Sequence, residues 1–306
     1  MIEKIHKIKR KIIKFFEYRF LIDHYDTYIL SDRSFIKRIY RIRMGKEINL
    51  RNPKTFTEKC NWLKLYDRRP EYTIMVDKYA ARQYVSEKIG EHYLVPLLGV
   101  WDHAEDIDFS ALPQKFVLKC NHNSDVTICT NKARLDIETV KNKLEIQLQD
   151  DYYKHKREWP YKNIKRKIIC EKFMENSGDQ ELVDYKIFCF NGSPRFVMVN
   201  SNRFGEGGVK VDMYDMDWNH MDMQDGHYPM AGDVFNKPDC FDEIVALSKK
   251  LSENIPFIRV DFNYWDNKLY FGELTFYHSA GLESFEPQKW DEVLGDWLVL
   301  PERKRR

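Results

Sequence analysis

The sequence predicts an α+β protein, with helices leading the chain and antiparallel strands dominating its second half. Two turn pairs carry this reading. Asn191-Gly192 and Asp266-Asn267 each sit between runs rich in Val, Ile, Phe and Tyr, which is the pattern of a hairpin rather than a crossover. A third observation is the order of elements: segments up to about residue 90 read as helices, and no internal repeat or low-complexity linker interrupts the chain.

Residues 1–45 are basic and helical in pattern. "NPKTFTEKCNWLKLY" opens a helix with a capping box, Thr55 to Glu58. "PEYTIMVDKYAARQYVSEKIG" reads as one helix, with Pro70 near its start and Gly90 as its stop. "YLVPLLGVW" leads to "KFVLKCNH", a buried strand by its apolar run. "DIETVKNKLEIQLQDDYYKHK" is a helix, "RKIICEKFM" a strand, and "ELVDYKIFCFNGSPRFVMVNSNRF" a hairpin about Asn191-Gly192. A polar, Met-rich stretch, "VDMYDMDWNHMDMQDGHYPM", is a loop or an irregular strand pair. "CFDEIVALSKKLSENI" is a helix, and the hairpin "IRVDFNYWDNKLYFGELTF" follows it.

With 306 residues, the chain suits two lobes or one large unit. A composition of 32% charged and 43% hydrophobic residues is that of a soluble globular protein, and a net charge of +2 excludes a nucleic-acid-binding polycation. No stretch approaches the roughly 20 apolar residues of a membrane span, and residues 1–20 lack the apolar run of a signal peptide. Those residues carry seven Lys/Arg against two Glu, with Ile5, Ile8, Ile12, Phe15 and Phe16 near helical spacing. Such a helix either lies on an anionic membrane surface or a partner, or packs on the main body. The terminal "PERKRR" reads as a solvated tail. Cysteines 60, 120, 129, 170, 189 and 240 form no CxxC pair and read as reduced residues of a cytosolic protein.

The last hairpin places two acids, Asp261 and Glu273, among aromatic residues. A two-residue loop, Asp266-Asn267, sets Asp261 opposite Gly272, Glu273 opposite Val260 and Phe262 opposite Phe271. A three-residue loop sets Asp261 opposite Glu273 and Arg259 opposite Thr275, with Val260/Leu274, Phe262/Gly272 and Tyr264/Tyr270 on the other face. The second register separates polar from apolar residues better and is the one expected. Opposed carboxylates repel. Either a divalent cation offsets them, or Arg259 bridges them, or both face water.

Other candidates are scattered. Lys119 ends an apolar strand and precedes "NHNSD", a polar turn that can offer backbone N–H groups to phosphate; the alternative is that it reaches solvent. Lys78 and Arg82 lie one turn apart on the expected helix, able to bind an anion jointly or to pair with acids elsewhere. Glu171 ends a strand whose exit can hold a planar base, and Lys186 sits inside a strand near Asp184. Asp215-Met-Asp217 is a D-x-D of the kind that holds a metal-bound sugar nucleotide. His122, His220, His227 and His278 show no metal-ligand spacing, and no P-loop, GxSxG or dinucleotide glycine fingerprint is present.

Taken in order, "DKYAAR", "LPQKFVLKCNHNSD", "IICEKFMEN", "DYKIFCFNG", "IRVDF" and "YFGELTFYHSAG" resemble the TupA-like branch of the ATP-grasp superfamily, over about residues 40–300. The family is associated with teichuronopeptide and cell-surface polysaccharide biosynthesis. The resemblance implies an ATP-grasp fold, two α+β lobes with antiparallel sheets clasping ATP. It divides the chain into a basic helical segment 1–45, a helical region 46–115 and an ATP-grasp domain 116–306, with lobes 116–172 and 173–306. It implies that Lys78 and Lys119 reach the nucleotide phosphates. Glu171 opens the adenine hinge, with Lys172, Phe173 and Met174 facing the base. Glu181 contacts the ribose, and Lys186 belongs to the nucleotide site. Asp261, Glu273 and Thr275 are the implied Mg²⁺ ligands, and Arg203 and Arg259 the catalytic cations beside the transferring phosphoryl group. Two departures stand out: "NHNSD" replaces a glycine-richer turn, and Thr275 replaces the Asn that most ATP-grasp enzymes carry.

The implied activity is carboxylate–amine ligation through an acylphosphate, acting on a small molecule or glycan precursor. The basic helix would bring the enzyme to the inner membrane face. A glycosyltransferase built on Asp215 and Asp217 is the first alternative, and a non-catalytic nucleotide sensor the second.

Overall fold

The computed structural model describes residues 30–174, 183–202, 208–226, 228–231 and 235–303. Two antiparallel sheets dominate it. The first has strand order β1-β4-β2-β3, built from β1 (Leu97–Trp101), β2 (Phe116–Cys120), β3 (Val126–Cys129) and β4 (Ile168–Lys172). The second has order β10-β9-β5-β6-β7, built from β5 (Val183–Phe190), β6 (Ser193–Ser201), β7 (Lys210–Asp215), β9 (Phe257–Trp265) and β10 (Lys268–Thr275). A short pair joins β8 (Gln224–Asp225) to β11 (Phe285–Glu286). β1 lies within 46–115, the stretch assigned as a helical region, and it pairs with β4 in the first sheet.

Each sheet buries one face in its own core. Phe116, Leu118, Cys120, Ile168 and Cys170 pack with Val140, Leu144 and Leu148 of the helix Ile137–Gln149. The larger core joins the second sheet to the helices Asp32–Met44, Phe56–Tyr66 and Phe241–Leu251. The expected capping box is present: Thr55 Oγ1 accepts from Glu58 N, and the Glu58 carboxylate accepts from Thr55 N, both at 3.4 Å. The six cysteines are free, and all but Cys240 are buried.

The helix expected over 70–90 is two helices, Glu71–Val76 and Ala81–Ile89. Asp77 breaks it. Its Oδ1 accepts from the backbone N of Tyr79 (2.8 Å) and Ala80 (3.1 Å), and from Nδ2 of Asn121 (2.9 Å). An Asp side chain that captures local N–H groups competes with the helix ladder. Lys78 therefore stands in a turn, and Gly90 still stops the second helix at φ 116°. The helix expected to run on from residue 136 likewise breaks at Asp150-Asp151, leaving a short second piece, Tyr152–Lys156.

The final hairpin combines both registers. Its turn is the two-residue one, with Asp266 and Asn267 at φ 49° and 56°, and Phe262 opposes Phe271. Beyond a bulge at Gly272-Glu273 the pairing becomes Val260/Leu274 and Arg259/Thr275. The expected Phe262/Gly272 and Tyr264/Tyr270 pairs do not form, because a left-handed Asp-Asn turn closes a two-residue loop and the extra residue is absorbed later. Gly272 suits that place, since a Cβ there would stand 3.1 Å from the Asp261 carbonyl oxygen.

The C-terminal helix Lys289–Trp297 docks against the start of the helix Phe56–Tyr66. Asp291, wholly buried, accepts from Thr57 N and Oγ1, both at 2.9 Å. Lys59 Nζ donates to the carbonyls of Gly295 and Leu298, both at 2.8 Å. Gly295 sits where a Cβ would lie 2.2 Å from the Lys54 carbonyl oxygen. In an exposed helix, Gly→Ala stabilises by about 1 kcal/mol. Here the sign should invert: Gly295→Ala is expected to lower the denaturant midpoint, and an unchanged or raised midpoint would show that the two segments do not meet.

Candidate active site

A cleft lies between the two sheets and encloses about 650 Å³, part of it open to solvent. The first sheet contributes Lys119 and Glu171, which share its inner face because Val117 opposes Glu171 and Lys119 opposes Ile169. The broken helix contributes Lys78 and Arg82. The second sheet contributes Asn263, Gly272 and Glu273, and Met174 and Tyr161 close the sides.

The charges along the first wall are engaged with one another. Lys119 Nζ meets Glu171 Oε2 at 2.6 Å, and Arg82 Nη1 meets Glu171 Oε1 at 3.4 Å. Lys78 Nζ donates to the Asn123 carbonyl at 2.6 Å, while its backbone N donates to the Asn121 carbonyl at 3.0 Å. Burial is the largest influence on the Lys78 amine and pushes its pKa below the usual lysine range. Three cations thus face one carboxylate on this wall.

The opposite wall holds the acids of the hairpin. Arg259 Nε and Nη2 donate to the two oxygens of Asp261, each at 2.7 Å, and Nη2 also donates to Glu273 Oε1 at 3.1 Å. Lys186, opposite Asp261 in the β5–β9 pairing, donates to Asp261 Oδ2 at 2.7 Å and lies 3.9 Å from Asp184. Burial alone would raise the Asp261 pKa, but Arg259 and Lys186 more than offset it and hold the carboxyl below its usual range. Thr275 Oγ1 lies 3.3 Å from Glu273 Oε1. So Arg259 bridges the two acids, as the second sequence reading had it.

These contacts bear on metal binding. Both Asp261 oxygens already accept from cations, and among the described residues no group of three or more His, Cys, Asp or Glu is placed to hold a metal. Glu273, 43% exposed, faces the cleft. The donor set therefore fits a Mg²⁺ that arrives with phosphate oxygens, held first by Glu273, rather than a resident ion.

The remaining sequence candidates are placed as follows. Lys172 N donates to the Pro96 carbonyl at 3.0 Å, its amine lies 5.7 Å from the Trp265 ring, and Phe173 is half-buried beside it. Glu181 and Arg203 lie outside the described residues, as does the basic segment 1–20. Asp215 is occupied locally: its oxygens accept from Asp217 N, Asn219 N and Asn219 Nδ2 at 2.8–2.9 Å. No helix among the described residues is long and apolar enough to cross a membrane.

Sequence reasoning missed three groups. Tyr161 lines the cleft and packs edge-on against Tyr152, with centroids 4.8 Å apart. Glu158, buried, has no hydrogen bond or ion pair from its carboxylate among the described residues, and burial raises its pKa. Lys64, also buried, donates to Asn61 Oδ1 (3.2 Å) and to the carbonyls of Lys156 (3.1 Å) and Ala280 (2.6 Å), and burial depresses it to about 8. A lysine inside "NWLKLY" was the only signal in the sequence; nothing marked Glu158 or Tyr161.

No curated protein matches the chain. Among solved structures, an ATP-grasp RimK domain protein from Sphaerobacter thermophilus is 10% identical, with a TM-score of 0.43, covering 81% of this chain and 79% of that one. A D-alanine–D-alanine ligase from Helicobacter pylori is 13% identical, with a TM-score of 0.42, covering 79% and 69%. One from Bacillus anthracis, complexed with ATP, is 16% identical, with a TM-score of 0.39, covering 66% of this chain and 54%, about half, of that one. The family profile described as TupA-like ATPgrasp matches residues 58–299, a stretch that contains both sheets and every described residue of the cleft. The chain belongs to the TupA-like ATP-grasp family.

Proposed function

We propose that the chain is an ATP-dependent ligase that activates a carboxylate as an acylphosphate for attack by a nucleophile, usually an amine. One observation carries the reading: Lys78, Lys119 and Glu171 on one wall and Glu273, held from behind by Arg259, on the other converge on a single cleft between two sheets. Lys78 and Lys119 would bind the phosphates once nucleotide displaces their present partners. Glu171 and the backbone of 172–174 would take the base. Mg²⁺, held by Glu273 together with phosphate oxygens, would neutralise charge on the transferring group, and Arg259 would face that group from the same strand pair. The terminal phosphoryl group passes to the acceptor carboxylate, ADP leaves, and the nucleophile then displaces phosphate at the acyl carbon. Tyr161 and Glu158 lie on the acceptor side of Glu273. The family's association with surface polysaccharides favours a uronic acid or acidic amino acid as the carboxylate, with the work done in the cytoplasm at the membrane face.

Mg·ATP near 100 times its Kd should stabilise the protein by about 2.7 kcal/mol. Differential scanning fluorimetry should show this shift in the wild type and a loss of its Mg²⁺-dependent part in Glu273→Gln. A shift with UDP-sugars and Mn²⁺ in place of Mg·ATP would overturn the reading.

Lys119→Met removes a charged donor to phosphate, worth about 1.5–3 kcal/mol, so calorimetry should find nucleotide binding roughly 10- to 150-fold weaker. Undiminished affinity would take Lys119 out of the site.

Asp261→Asn leaves Arg259 and Lys186 without their buried counter-charge, a loss of about 3–5 kcal/mol by analogy with broken buried pairs. The sign with pH follows from the depressed carboxyl. Its contribution is complete above about pH 4, the unfolded value, and is lost as pH falls through the lower folded value. The stability gap between wild type and Asp261→Asn should therefore narrow on acidification, and a gap constant from pH 7 to 3 would refute the assignment.

A further inference from the structure

Four of the five N–H donors of the Arg259 guanidinium have partners, and one of them leads away from the acids. Nη1 meets Nδ1 of His278 at 3.1 Å. A guanidinium only donates, so Nδ1 must present its lone pair and the ring proton must sit on Nε2. Nε2 faces Asp225 Oδ2 at 3.6 Å, the carboxylate that would hold that tautomer. The ring is fixed by packing as well. It stacks on Phe285, with centroids 5.3 Å apart and planes 4° from parallel, and meets Phe188 edge-on at 4.9 Å. Only 6% of His278 is exposed.

We infer that His278 is a positioning residue: its Nδ1 lone pair, turned to Arg259 with the ring proton on the side of Asp225, holds Nη1 of Arg259 and so aims the guanidinium at the transferring phosphoryl group. This rests on the ligase reading above. The logic is one of competition. When a phosphoryl group enters, Arg259 can turn from Asp261 and Glu273 toward it. A fixed acceptor on Nη1 limits that movement to a pivot and keeps the fork in one plane. A protonated ring would set two cations against each other, and burial, the largest influence on the ring, together with Arg259 keeps its pKa below the usual histidine range. His278 has no metal-ligand spacing with other histidines, and this role asks for none.

The test uses the full chain with Mg·ADP alone and with Mg·ADP plus aluminium fluoride, a mimic of the phosphoryl group in flight, read by thermal shift. In the wild type the fluoride complex should add an increment to the Mg·ADP shift. His278→Phe keeps the ring packing but has no acceptor. It should keep the Mg·ADP shift and bind the fluoride complex about tenfold more weakly, as one charged hydrogen bond is lost. His278→Asn, whose Oδ1 can stand in for Nδ1, should recover most of the increment. Asp225→Asn, which can donate to Nε2 and force the proton onto Nδ1, should lose it, and it serves where His278→Phe does not fold. An undiminished increment in His278→Phe, or equal defects in His278→Phe and His278→Asn, would overturn the role of the lone pair. So would a wild type that shows the Mg·ADP shift without any increment. A wild type with no Mg·ADP shift would instead sink the ligase reading itself.

Discussion

The bulge at Gly272-Glu273 is the constraint on which the site depends. With a uniform ladder from the two-residue turn, Glu273 would oppose Val260 and point into the core. One extra residue returns it to the face of Asp261, where Arg259 Nη2 can span both carboxylates. The extra residue requires a backbone without a side chain at Gly272, pressed against the Asp261 carbonyl. The hairpin thereby keeps Phe262 and Phe271 in the core and brings Glu273 to the cleft, with Asp261 buried and Arg259 half-buried behind it. Arg259, Lys186, Asp261 and Glu273 balance, so this wall is stable without ligand. The opposite wall carries an excess of positive charge. A polyphosphate would complete that wall, and its metal would need only the oxygens that Glu273 leaves open.

The cationic wall of the cleft is set by a second, quieter device. Asp77 breaks a helix, and the same carboxylate holds Asn121 at the exit of β2. Lys78 and the turn after Lys119 are therefore fixed by one side chain, although more than 40 residues separate them. Lys64 does similar work elsewhere, joining the helix Phe56–Tyr66 to the backbone at Lys156 and Ala280. A buried amine needs oxygens around it. That need draws three segments together and places Glu158 and Tyr161 where they stand.

Much of this was legible from residue types. The hairpins declared themselves through Asn191-Gly192 and Asp266-Asn267, and the capping box through Thr55 and Glu58. Lys78, Lys119, Glu171 and Glu273, which line one cleft, stood out because charged residues at strand ends or amid aromatics break an apolar pattern. What stayed hidden depended on partners distant in sequence. The helix break was invisible because helical periodicity continues across Asp77, whose carboxylate takes the nearby N–H groups of Tyr79 and Ala80 and is itself held by the distant Asn121. Each candidate register of the last hairpin was right for half its length; a bulge leaves no mark beyond a glycine that has many other uses. Asp261 was read as a metal ligand from its opposition to Glu273, whereas its two bonds from Arg259 and one from Lys186 show how fully its oxygens are already used.

The two departures from the family pattern have a shared physical account. A glycine-rich turn is mobile and closes over phosphate by bending. The turn "NHNSD" is instead tied by its side chains. Asn121, wholly buried, donates to Asp77 and to the Lys165 carbonyl at 2.9 and 3.0 Å and accepts from Lys167 N at 2.8 Å, while His122 Nε2 meets the Asp150 carbonyl at 3.1 Å. Asn123 is buried with both amide atoms lacking a hydrogen-bond partner among the described residues. A turn so anchored gains little from glycine, because its conformation is already chosen, and the unpaired amide makes it costly to leave dry. Thr275 fits the same economy of motion. Its hydroxyl turns to Glu273, which fixes one carboxylate oxygen and leaves the other to the cleft. In both places the residue present orients its neighbour, so the cleft is organised without a ligand.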